Sequence, residues 1–264
     1  MENDNFDHKI YEYQNHQLQV SPVFWLLAVF MVVSAYPLWT GSDYAGLWAF
    51  LFVISGWVVS LCLHEFGHAY SAFRFGDYTV IEKGYLTLNP IKYTNLFLSI
   101  VMPVLFLMMG GIGFPGGAVY INTGLIKTAK ERSIVSAAGP AVTALFAVIL
   151  IFPFFFGLVD LENHRVFWAV ISLLTLLQIS ALFLNLLPVP GLDGFGIIEP
   201  FLKANIKKKI RNISGIAVLA IFFLLFSDTP VSTFFWSSIA LTIQLLGIDF
   251  QLVLEGFNLF RFWT

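Results

Sequence analysis

The chain has 264 residues, of which 58% are hydrophobic and only 11% charged. Its mean hydropathy is +0.81. This composition argues against a water-soluble globule, and also against disorder, which needs low hydrophobicity and high net charge. Fourteen basic and sixteen acidic residues give a net charge of −2, so there is no basic field for binding nucleic acid. The single cysteine, Cys62, cannot form an internal disulfide.

In chain order, residues 1–22 form a polar N-terminal segment, expected in the cytoplasm. It lacks the short basic lead of a signal peptide, so no cleaved leader is expected. A membrane domain is assigned to 23–248, with a catalytic core at about 47–199. The expected fold is an all-α polytopic membrane protein. It has about six transmembrane helices, one re-entrant segment and a short membrane-edge β-hairpin.

Apolar runs at about Val23–Trp39, Leu47–Tyr70, Ile134–Leu158, Phe167–Leu187, Ile213–Phe226 and Val231–Ile248 are read as spans. The strand-like pieces Thr79-Val80-Ile81 and Tyr85-Leu86-Thr87-Leu88 flank Lys83-Gly84, a turn signal that predicts the hairpin. Such a hairpin either adds a substrate strand or merely shields the site. The tail, 249–264, is either an interfacial amphipathic helix or a segment packed on the bundle. The Lys203–Arg211 cluster is explained equally by anionic lipid contact and by a plain positive-inside loop.

The run Leu96–Ile112 carries Pro103 and Gly110-Gly111. If it does not cross, thirteen of the fourteen Lys and Arg residues lie on the N-terminal side, with Arg165 alone opposite. If it crosses, Lys203–Arg211 faces outward. The charge rule therefore favours re-entrance, and irregular backbone at that depth needs protein or a wet cavity around it. The same rule places the N-terminus and the functional residues towards the cytoplasm.

The sharpest signal is His64-Glu65-Phe66-Gly67-His68 at the end of a predicted span. The i, i+4 spacing puts both imidazoles on one helix face, one turn apart. Two such nitrogens suit one zinc ion, and Glu65 suits a general base acting on water. Ionisable residues inside a membrane segment are costly and mark function. Zinc needs a third protein ligand and an open position. His8, His16 and His164 lie in polar segments away from the pair. Asp193, in Asn185-Leu186-Leu187-Pro188-Val189-Pro190-Gly191-Leu192-Asp193-Gly194, leaves a helix on the same membrane side. It is either the third ligand or a solvated turn carboxylate. Cys62 lies about 200° around the helix from His64 and reads as a small core residue.

His-Glu-Phe-Gly-His on one helix, Ala137-Ala138-Gly139-Pro140 on another and Asn185–Gly194 closing a third resemble the site-2 protease family of intramembrane zinc metalloproteases. The resemblance covers roughly Leu47–Glu199. It includes Gly84-Tyr85-Leu86-Thr87-Leu88-Asn89-Pro90 and Pro115-Gly116-Gly117-Ala118-Val119, which look like a bacterial branch without PDZ or CBS domains. The resemblance implies His64, His68 and Asp193 as ligands of one Zn²⁺ per chain, and Glu65 as catalytic base. It also implies Asn185 as a donor to the oxyanion or the substrate backbone. Its fold is a three-helix core with flanking helices and a membrane-edge sheet. The partners it implies are the lipid bilayer and a membrane-protein substrate with a locally unwound transmembrane helix, in a bacterial cytoplasmic membrane. Two departures stand out. Thr143 occupies a position where the family usually has Asn, and Phe195 one where it usually has Gly. They bear on substrate handling more than on zinc.

Other classes fit less well. A di-iron desaturase needs more histidines, a serine intramembrane protease needs a separate Ser–His pair, and an aspartyl one needs two membrane aspartates. A divalent-metal transporter could use the same His/Glu/Asp cluster, and a non-catalytic scaffold could retain the fold.

Overall fold

A computed structural model of the protein describes residues 19–93, 119–211 and 214–263. Four of its helices are long and apolar enough to span a membrane: α1 (Pro22–Thr40), α2 (Ala45–Arg74), α4 (Ala129–Phe155) and α5 (Arg165–Asn185). The protein is therefore an integral membrane protein. The short helix α3 (Thr79–Glu82) follows α2. After α5 come α6 (Asp193–Ile198), α7 (Ala204–Arg211), α8 (Ser214–Leu225), α9 (Pro230–Leu245) and α10 (Phe250–Phe260).

Local chemistry sets the helix ends. Ser21 accepts the Val23 N–H and Pro22 sits at the first helical position, so α1 starts there. It stops at Gly41, whose φ of +75° suits glycine. Thr128 and Glu131 form a reciprocal capping box at the start of α4. Within its most apolar window, α5 is 72% buried and α1 only 17%. Hence α5 is the central helix, and α1 turns Leu26, Val32 and Tyr36 outward to where lipid tails would lie.

Cross-helix contacts define two ends of the bundle. Ser60 on α2 bonds Gln178 on α5, and Gly56 lies against Leu174 one turn earlier on both, so these two helices run parallel. Trp39 at the end of α1 stacks on His164 at the start of α5. One end therefore holds 40–45, 155–165 and 247–262. The other holds 74–93, 119–129 and 185–211.

Three expectations are corrected. First, no strand occurs among the described residues, so the hairpin and the strand addition built on it fall away. Asp77 Oδ1 accepts both the backbone N–H and the hydroxyl of Thr79. That bond starts a helical turn where three β-branched and apolar residues suggested a strand. Gly84, at φ +72°, then opens a 3-10 turn over Tyr85–Thr87. Val80, Tyr85, Leu86 and Leu88 are all buried in one cluster, a pattern without the period of two that a half-exposed strand needs.

Second, where about six spans were expected, the described residues hold four, or five if α8 and α9 count as one. Helices of 12 and 16 residues reach only about 18 and 24 Å, short of the roughly 30 Å hydrocarbon layer. They meet at 75° across a four-residue break. Thr229 caps the second helix at Pro230, so the break is encoded locally. Ser214 lies by Gly191 at one end of the bundle and Gly247 lies by Phe154 at the other, so the pair crosses once.

Third, Arg261 shares an end with Arg165, not with the other described basic residues. Helix α10 packs on the bundle: Arg165 pairs with Glu255, and a side chain at Gly46 would run into Phe262. The re-entrant assignment, 96–112, lies outside the described residues, as do His8 and His16. The described residues flanking that stretch, Tyr93 and Val119, both contact α2 near the site: Tyr93 through the Cys62 carbonyl and Val119 through Glu65.

Candidate metal centre

His64 and His68 lie near the C-terminal end of α2, buried at 7% and 6% exposure. Asp193 opens α6. The chain reaches it through Pro188, Pro190 and Gly191, the last at φ +102°. Gly194 is required next: a Cβ there would strike the Leu186 and Leu187 carbonyls. Helix α6 is tied to α4 by the Ser133 hydroxyl, which donates to the Ile197 carbonyl at 2.8 Å. Phe195 is buried and helical, so the glycine usual there is not needed for a positive φ.

These elements bring three donors together. His64 Nε2 and His68 Nε2 are 3.1 Å apart. Each lies 3.2 Å from an oxygen of Asp193. Four-coordinate zinc with bonds near 2.0–2.1 Å holds its ligand atoms about 3.3 Å apart. The triangle matches that spacing. The Val135 carbonyl at 2.7 Å can only accept, so His68 Nδ1 carries a proton. In a neutral ring His68 Nε2 is then a lone pair facing a carboxylate, a conflict that a positive charge on that nitrogen resolves, whether a proton or a metal ion. The donor set therefore fits zinc, with three protein ligands and room for a fourth. Burial acts to raise the Asp193 pKa, but His68 and His64 outweigh it and hold the carboxyl well below the usual carboxylate range.

Helix α4 backs the pair with a four-residue rhythm that sequence reasoning missed. Val135 accepts from His68, Gly139 lies against both Nε2 atoms, and Thr143 Oγ1 lies 2.9 Å from His64 Nδ1. With Nε2 free for a metal, His64 Nδ1–H donates to Thr143. Partners of this kind fix the ring and its tautomer. The sequence marked Gly139 and Thr143 only through a family motif. Their spacing of four, antiparallel to His64 and His68, is the signal that could have found the role.

Glu65 is 2% exposed and lines the same cavity of about 250 Å³ as the three donors. Its Oε2 accepts the Val119 N–H at 3.0 Å. The segment 119–126 that supplies this N–H is pinned by buried Asp77, whose Oδ2 accepts from the Asn122 N–H at 2.6 Å. Asn185 lines the cavity too. Cys62 is fully buried and donates nothing to the cluster, and its carbonyl accepts from the Tyr93 hydroxyl. His164 is at the opposite end of the bundle, stacked on Trp39.

Comparison with known proteins adds a second line. Over 253 residues the chain is 42% identical to a Mycolicibacterium smegmatis protein named "Putative zinc metalloprotease Rip2", with 92% of this chain and 94% of the relative covered. A Mycobacterium tuberculosis protein of the same name is 39% identical over 257 residues, covering 95% and 97%. The chain belongs to the site-2 protease family. A Bacillus subtilis member named "Putative zinc metalloprotease YwhC" is 29% identical over 189 residues, covering 67% of this chain and 80% of its own length. No family model and no solved structure matches the chain.

Proposed function

We propose that this protein is an intramembrane zinc metalloprotease that hydrolyses peptide bonds in or beside transmembrane segments of other membrane proteins. The observation that carries the reading is the triangle of His64, His68 and Asp193 donors at zinc-like spacing, beside buried Glu65 and among spanning helices.

His64, His68 and Asp193 hold one Zn²⁺. When bound, zinc lowers the pKa of water towards about 7 and polarises the scissile carbonyl. Glu65 takes a proton from the attacking water. The water oxygen bonds to the carbonyl carbon, the C–N bond breaks, and Glu65 returns the proton to the leaving amine. Asn185 donates to the carbonyl oxygen as charge develops there. The Val119 N–H keeps the Glu65 carboxylate aimed before attack. Because a helical substrate hides its carbonyls in backbone bonds, it unwinds locally to reach the site, and helix-breaking residues near the cut help.

The membrane domain spans 23–248, with its catalytic core at about 47–199. The N-terminus and the site end face the cytoplasm of a bacterial cell. Basic residues at 74–92, 127–132 and 203–211 support that orientation.

The test is cleavage of tagged single-span proteins by wild type and by Glu65→Gln, with zinc measured in both. The expected result is full zinc content in both proteins and cleavage only by wild type, with a loss of about 10²–10⁴-fold in the variant. A variant that cleaves as well as wild type refutes the assignment of the base. A variant that moves zinc across vesicles as wild type does identifies a transporter.

A further inference from the structure

The cavity continues past the metal cluster along α2 and α5, and its lining there is unusual. Gln178 is 1% exposed and Trp57 5%. Both line the cavity, yet Gln178 Nε2 and Trp57 Nε1 have no hydrogen-bond partner. The Ser60 hydroxyl donates to Gln178 Oε1, so the amide's free end is its NH₂. Trp57 is one turn before Ser60 on the same face of α2. Two unpaired N–H donors buried in a membrane site are costly to keep.

Gln178 and Asn185 are seven residues apart on α5, which puts them on one face two turns apart, about 10.5 Å along the axis. Ala181 lies between them on that face and also lines the cavity. Its small side chain leaves a lane between two carboxamides. An extended peptide advances about 3.3 Å per residue, so the lane matches about three residues. The terminal torsion of a glutamine is soft, so its NH₂ can turn into the lane.

We propose that Gln178, with Trp57 beside it, is a binding subsite for a backbone carbonyl of the unwound substrate, about three residues from the cut bond. The inference rests on the protease reading and deepens it. Unwinding strips carbonyls of their partners inside the membrane, and these donors replace what the substrate helix gave up. Ser60 is the positioning residue that presents the amide.

The test uses an apolar peptide spanning the cut site, with ¹³C=¹⁸O placed in turn at each carbonyl within four residues of the cut. It is bound to full-length zinc-loaded Glu65→Gln protein, so that it stays intact. Infrared spectra of that protein are compared with those of Glu65→Gln carrying Gln178→Met or Trp57→Phe. The expected result is one carbonyl, two to four residues from the cut, whose band moves to lower frequency on binding. Gln178→Met abolishes the movement and Trp57→Phe reduces it, with zinc content unchanged. In otherwise wild-type protein, Gln178→Met raises KM at least tenfold and changes kcat less. A band that shifts equally in all proteins, or in none, overturns the subsite and leaves water as the occupant of these donors. If wild type cleaves nothing in the panel above while the shift still depends on Gln178, the protease reading fails and the carbonyl site stands.

Discussion

Replacing Gly139 by alanine removes no ligand, yet it tests the metal centre directly. A Cβ on Gly139 would lie 2.7 Å from His64 Nε2 and closer still to His68 Nε2. Neither ring can retreat easily. His68 is held by the Val135 carbonyl at 2.7 Å and His64 by Thr143 at 2.9 Å. Both rings must therefore tilt, and their lone pairs lose the common point. Disturbing ligand orientation through outer partners typically weakens metal binding 10–100-fold, about 1.4–2.8 kcal/mol. Moving two ligands together should reach or exceed the upper figure. Helix propensity works the other way, because alanine favours a helix interior by about 1 kcal/mol over glycine. The expected outcome is protein of wild-type helix content that holds at least 100-fold less zinc at equilibrium. Competition with a chromophoric chelator, together with circular dichroism, measures both. Unchanged zinc affinity in Gly139→Ala would mean that the cation does not sit between the two imidazoles where α4 backs them.

Three further substitutions separate the parts of the site. Thr143→Val removes the hydroxyl on His64 Nδ1 and should weaken zinc binding about 10–100-fold, with Thr143→Ser close to wild type in the same chelator titration. Asp77→Asn should cost about 1.5–3 kcal/mol in denaturant unfolding, because a buried carboxylate accepts from Asn122 and Thr79. It should lower cleavage by loosening the segment that carries Val119 while leaving zinc content intact, and loss of zinc would refute that separation. Gly194→Ala places a Cβ against two backbone carbonyls, so Asp193 should swing away from the histidines; zinc measured by mass spectrometry should fall below half of one ion per chain.

The sequence made local relations visible and hid the register between helices. His64, Glu65 and His68 share one turn of one helix, so their common face follows from helical geometry alone. Asp193 is remote in the chain, and only the side of the membrane and a family motif pointed to it. The misread hairpin has a local cause: Asp77 caps a turn at Thr79, a bond that β-propensity does not register. The miscounted spans have another. Hydropathy across 213–248 sees two apolar runs, but Thr229-Pro230 starts a new helix at 75° to the last one. The tail placed Arg261 with Arg165, opposite the other described basic residues, because Gly256 packs α10 against the Ala169 carbonyl of α5, a contact no charge rule contains.

The register of α4 against α2 explains why threonine serves at 143. The two helices run antiparallel with Gly67 of α2 against the Ala138 carbonyl, where any Cβ would lie 2.9 Å from that oxygen. At that close approach the four-residue repeat Val135, Gly139, Thr143 faces the four-residue repeat His68, His64. Each step is about 6 Å on both helices, so the partners stay matched. His64 Nδ1 offers one proton and needs one acceptor, which a hydroxyl on a short side chain supplies when the backbones are this near. Slipping α4 by one residue would turn its face by about 100° and remove all three partners together. The contacts that prevent the slip are Gly67 against Ala138 and the Ser133–Ile197 bond that carries α6 and Asp193. One helix register thus sets the ring orientation of His64 and His68 and the position of Asp193.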